Sequence, residues 1–74
     1  MYTVIAKVNC PWCVKAEEAI CDKFGRVNII SLEEEPWLRT IMLEADLKTV
    51  PQIITPDGQL IRGYESLVQH LLEV

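Results

Sequence analysis

Cys10-Pro11-Trp12-Cys13 constrains this chain more than any other stretch. Two thiols three positions apart on a helix lie on one face. They can close a disulfide, which needs alpha carbons roughly 4.4–6.8 Å apart. A short β-prone run, Tyr2 to Ala6, precedes them, and a helical apolar pattern follows. The pair therefore reads as sitting at a strand-to-helix junction. Pro11 suits a first helical turn, where no backbone N–H is needed. Cys10 then falls at the cap, against the free N–H groups and positive end of the helix. That position favours a thiolate, the nucleophile of disulfide exchange.

The rest of the composition narrows the setting. Seventy-four residues are expected to form one domain, spanning 1–74. Half of them are hydrophobic, enough for a folded core despite the small size. A net charge of −4 argues against nucleic acid as a main partner, because phosphate binding wants a basic face. No apolar run approaches the ~20 residues of a membrane span. Met1 to Ile5 carries no basic start or long apolar core of a secretion signal, so a cytoplasmic protein is expected; a monomer is expected as well. In a reducing compartment a CxxC pair is catalytic or metal-binding rather than structural.

Along the chain, Cys13, Ala16, Ile20 and Phe24 share one helical face, and Gly25 is placed to cap the helix end. Val27 to Ser31 reads as a second strand. Pro36 opens a second helix after Glu33-Glu34-Glu35, with Leu38, Ile41, Met42 and Ala45 as its apolar face. Gln52 to Thr55 is a third strand. Pro56-Asp57-Gly58 is a turn, and Gln59 to Ile61 returns as a hairpin strand. From Tyr64 a last helix is expected to point Leu67, Leu71 and Leu72 inward. The order β-α-β-α-β-β-α implies an α/β fold. Its four-stranded sheet has one parallel pair with a right-handed crossover and an antiparallel hairpin, flanked by three helices.

This order, with a CxxC after the first strand, resembles the thioredoxin fold. The Cys-Pro-aromatic-Cys motif at Cys10–Cys13 is similar to that of glutaredoxins, and Thr49-Val50-Pro51 resembles the family's Thr-Val-Pro, whose proline is cis. Lys7 matches a lysine that holds a glutathione carboxylate. The resemblance implies glutathione as a co-substrate, with no permanently bound cofactor and no metal. It implies glutathione contacts from Lys7, Trp12, Thr49, Val50, Pro51, Gly63, Tyr64, Glu65 and Ser66, with Arg39, Lys48 and Arg62 as accessory cations.

Two positions depart from the family pattern. Arg62 stands where a glycine pair usually begins, with Ser66 where an acid often lies. Trp12 replaces the usual tyrosine. Lys7, Lys15, Lys48 and Arg62 are all expected to converge on Cys10, giving an acidic protein a locally positive site. Cys21 lies roughly 12 Å along the helix from Cys13, out of disulfide reach, and reads as a small apolar filler. Trp37 reads as half-packed on the second helix. His70 reads as a surface residue, and Glu33–Glu35 as a solvated helix entrance.

The expected activity is glutathione-dependent reduction of protein disulfides and glutathionylated proteins, with ribonucleotide reductase among the clients. In this reading Cys10 attacks and Cys13 resolves. Two alternatives stay open at this point. One is a similar redoxin recharged by thioredoxin reductase. The other is an iron–sulfur cluster-binding module, against which Pro11 counts by resemblance.

Overall fold

The computed structural model describes residues 1–74. Strand β1 (Thr3–Ala6) leads into helix α1 (Pro11–Phe24), then β2 (Asn28–Ser31) and α2 (Pro36–Glu44). Strands β3 (Gln52–Ile54) and β4 (Leu60–Arg62) form the hairpin, and α3 (Tyr64–Glu73) closes the chain. The four strands form one mixed sheet in the order β2-β1-β3-β4. Strand β1 is parallel to β2 and antiparallel to β3, and β3 is antiparallel to β4. The expected α/β architecture and element order are the observed ones.

Strand alternation divides the core between the two sheet faces. Val4 and Ala6 face Cys13, Ala16 and Ile20 of α1 and Leu67 of α3, with Ile53 and Ile61 beside them. Ile5 points to the opposite face, where Leu32 and Met42 complete a smaller cluster. Two helices thus cover one face and α2 alone covers the other.

The apolar faces are narrower than the sequence pattern implied. Leu67 is fully buried and Leu71 packs against the core, but Leu72 is 77 % exposed. Leu72 is five residues beyond Leu67, about 140° around the helix. In α2 only Met42 is buried, with Leu38 beside it, while Ile41 and Ala45 face outward. A lone helix on a sheet face turns only a thin strip inward. Trp37 is 58 % exposed rather than half-packed, and its indole N–H donates to the Glu35 carboxylate. Cys21 is exposed on the outer side of α1 and is not a filler.

His70 is a further correction. It is half-buried, its Nε2 lies 2.7 Å from the Tyr2 hydroxyl, and the Tyr2 ring stacks on Phe24 at 4.8 Å. Lys23 reaches across from α1 to the Leu71 and Val74 carbonyls at 2.6 and 2.9 Å. These contacts tie the end of α3 to β1 and α1.

The β3–β4 turn is held by Thr55. Its hydroxyl accepts from the Gln59 N–H at 2.9 Å and bonds Asp57, while its carbonyl accepts from Gly58 at 3.0 Å. Gly58 sits at φ 90°, the region open to glycine at little cost.

Candidate active site

The site grows from the end of β1. After Ala6 the chain turns through Lys7, Val8 and Asn9, with Asn9 left-handed at φ 59°. Asn tolerates that conformation better than most residues. Cys10 follows as the N-cap of α1 in extended conformation, with Pro11 in the first turn. The Cys13 N–H donates to the Cys10 Sγ at 3.3 Å, and the Cys10 carbonyl accepts from Val14 at 3.2 Å. A sulfur thus occupies the place of a capping oxygen, at the positive helix end.

Cys10 and Cys13 are joined as a disulfide, their alpha carbons 5.3 Å apart. Their exposures differ. Cys13 is 2 % exposed within the core, whereas Cys10 is half-buried and borders an open cleft. An incoming sulfur can therefore reach Cys10 and not Cys13.

A cleft of about 570 Å³ runs along Lys7, Val8, Asn9, Cys10, Pro11, Cys13, Val14 and Glu17, and two more, both bordered by Val50, flank the pair. Of these two, the first, about 490 Å³, is bordered by Lys7, Cys10, Arg39, Lys48, Thr49 and Val50 over an apolar floor that includes Met42 and Leu47. The second, about 320 Å³, lies between Trp12 on α1, Pro51, and the segment Arg62–Ser66 that opens α3. Val50 borders both clefts and packs against both core clusters. Its own N–H and C=O make no hydrogen bond within the protein. The Val50–Pro51 peptide is cis, as the resemblance implied.

The second cleft ends on α3. Its N-cap is Gly63, which has no side chain to satisfy the leading N–H groups. Those donors stay free, the usual setting for an anion. Gly63 lies at φ 90° and ψ 168°, which essentially only glycine adopts. Its N–H donates to the Pro51 carbonyl at 3.1 Å, so the two walls of the cleft are bonded to each other. Trp12 and Tyr64 meet across the cleft with ring centroids 5.5 Å apart, and the Lys15 ammonium sits 4.9 Å above the Trp12 ring.

The expected glutathione contacts and the accessory cations Arg39, Lys48 and Arg62 each border one of these two clefts; of the four cations expected to converge on Cys10, Lys7 and Lys48 share its cleft, Arg62 lines the other, and Lys15 sits over Trp12 instead. Lys48 is partly compensated by Asp46 at 3.5 Å, an exposed pair of little energetic weight. Two supporting residues were missed. Gln52 is 2 % exposed, and its Nε2 donates to the Thr49 carbonyl at 2.9 Å, bracing the loop before Val50. A polar residue at an inward strand position was the available signal. Glu33 is not merely solvated: its carboxylate accepts from the Val8 N–H and the Ser31 hydroxyl, each at 3.0 Å. The Val8 N–H above all, aided by Ser31 and the Arg39 charge, holds the Glu33 carboxyl below its ordinary range. No local sequence pattern marks that link, since it spans 25 positions.

A four-stranded mixed sheet with a dithiol at the cap of its first helix and a cis-proline loop beside it defines a thioredoxin-fold thiol–disulfide oxidoreductase. A glutaredoxin family model matches residues 2–61, most of the chain, and the protein belongs to the glutaredoxin family. Its fold is similar to the dithiolic glutaredoxin 2-C-Grx1 of Trypanosoma brucei brucei, with a TM-score of 0.83 and 28 % identity over 97 % of this chain and 77 % of the other. It is similar in fold to a buckwheat glutaredoxin solved in complex with glutathione, at a TM-score of 0.74 and 21 % identity, covering 97 % and 68 % of the two chains. The thioredoxin-like protein BC3987 shares the fold at a TM-score of 0.77 and 19 % identity, over 99 % and 97 %. No curated protein matches the chain in sequence.

Proposed function

We propose that this protein uses glutathione as its reductant and carries electrons to protein disulfides and glutathionylated thiols through Cys10. The observation that carries the reading is the arrangement around Val50. One residue with an unpaired backbone N–H and C=O joins a cationic cleft at Cys10 to a second cleft ending on uncapped helix donors. A γ-glutamyl-cysteinyl-glycine chain matches that layout end to end. Its glycyl carboxylate meets Lys7, with Arg39 and Lys48 nearby. Its cysteinyl backbone pairs with Val50. Its γ-glutamyl carboxylate meets the N–H groups of Tyr64–Ser66. The buckwheat neighbour that binds glutathione shares this fold.

In the forward reaction the Cys10 thiolate attacks one sulfur of a client disulfide, and the other sulfur leaves as a thiolate and takes a proton. Cys13 loses its proton and attacks the Cys10 sulfur, closing Cys10–Cys13 and releasing the client's second thiol. One glutathione thiolate then opens that disulfide at Cys10, and Cys13 is reprotonated. A second glutathione attacks the glutathione sulfur of this adduct, leaving oxidised glutathione and the Cys10 thiolate. A glutathionylated client needs only Cys10.

Electron supply to ribonucleotide reductase is one use consistent with this chemistry, and is tested by deoxyribonucleotide formation with this protein as sole donor. The reductant is tested by turnover of a small mixed disulfide with glutathione and glutathione reductase, against turnover with thioredoxin reductase. Efficient reduction only by thioredoxin reductase would overturn the glutathione reading.

A further inference from the structure

The chain has seven Lys and Arg residues and a net charge of −4. Five of the seven gather at one face. Lys7, Arg39 and Lys48 border the first cleft, Arg62 the second, and Lys15 sits on Trp12. The other two, Lys23 and Arg26, lie at the far end of α1 and just beyond it, where Lys23 holds the end of α3. Acidic groups at the site face are few. Glu65 borders the second cleft, Glu17 lies on α1 near Cys13, Asp46 is paired with Lys48, and Glu33 lies against Arg39.

Lys15 stands apart from the other cations, because it borders neither cleft. The second cleft, where part of a tripeptide would sit, is bordered by Trp12 and Pro51 and not by Lys15. Lys15 is three residues beyond Trp12, one turn along α1, so helix geometry sets the ammonium over the ring. Trp12 is 54 % exposed, and its ring lies tilted against that of Tyr64. The result is an exposed apolar ledge two residues from Cys10 with a positive charge held over its ring. Such a ledge complements a chain with carboxylates close to its reactive sulfur.

We propose that the Trp12–Lys15 ledge docks an acidic segment flanking the reactive cysteine of a protein client. The client's disulfide lies at Cys10 while its carboxylates meet Lys15 and the cations of the cleft rims. The proposal rests on the oxidoreductase reading but not on glutathione as the reductant.

Single-turnover kinetics with chemically pre-reduced protein test it without glutathione. The substrates are three disulfides: a peptide with glutamates flanking its cysteine, the same peptide with lysines, and neutral 2-hydroxyethyl disulfide. At low ionic strength the acidic peptide is expected to react about tenfold faster than the basic one, with the gap closing at high salt. Lys15→Glu is expected to slow the acidic peptide several-fold, leave 2-hydroxyethyl disulfide within about twofold, and speed the basic peptide. Lys15→Arg is expected to keep the preference. Equal rates for the two peptides would overturn the proposal. So would a Lys15→Glu loss shared by the neutral disulfide, which would place the effect on Cys10 itself. Failure of all three substrates to react with the reduced wild-type protein would instead refute the oxidoreductase reading beneath it.

Discussion

The two sulfurs differ in burial: Cys13 is 2 % exposed and Cys10 is half-buried. Cys10 caps the helix beside open clefts, and Cys13 is sealed into the core one turn later. Cys10→Ser is therefore expected to abolish all exchange. Cys13→Ser should keep deglutathionylation and lose protein-disulfide reduction, and paired assays of the two activities check this. Gly63 gives a second test at this scale. Nothing lies within 4 Å of a β carbon built there, so Gly63→Ala meets no clash. It meets a φ of 90°, and the strain is expected to cost about 1–3 kcal/mol, read by urea denaturation. Arg62→Gly separates two roles for the residue that stands in place of the family's glycine. A higher KM for glutathione means Arg62 holds the tripeptide, and a lower one means it narrows the cleft.

Between elements, the loop carrying Cys10 is tied to the β2–α2 turn through Glu33. Its carboxyl is held below the ordinary range, so its ionised form contributes stability above the unfolded-state pKa. That contribution is lost as pH falls through the lower folded value. Glu33→Ala is accordingly expected to be less stable than the wild type at neutral pH, and the deficit should shrink on acidification below the carboxylate range. Denaturation midpoints across pH check the sign. Packing gives a sharper contrast. Ile20 is fully buried in α1, and Ile20→Ala should cost about 2–5 kcal/mol. Leu72→Ser, on the outer side of α3, should stay within about 0.5 kcal/mol.

These elements also show what a one-dimensional reading reaches. Strand alternation and the Pro11, Gly25, Pro36 and Gly58 punctuation are local signals, and every element lay within a residue or two of its expected bounds. The Cys10–Cys13 pair was legible because its spacing alone brings the sulfurs together. The inward set of each helix was less so. How wide a stripe is buried depends on how many neighbours a helix has, and α2 packs alone on its face. His70 bonding Tyr2 and Glu33 bonding Val8 were invisible because both join distant segments.

At the scale of the whole molecule, the cations concentrate at one face of an acidic protein. The Cys10–Cys13 couple of this family member is expected at about −200 to −230 mV. Equilibration with glutathione redox buffers measures it, and a value at or below about −270 mV would place it with thioredoxins. The central claim is that Cys10 carries glutathione as a mixed disulfide during turnover. Intact-mass and peptide mapping of Cys13→Ser after oxidised glutathione tests it most directly. The account predicts one glutathione on Cys10, removed by reduced glutathione at a rate matching turnover, with the exposed Cys21 modified far more slowly. No adduct at Cys10, or an adduct there that reduced glutathione does not remove, would contradict it.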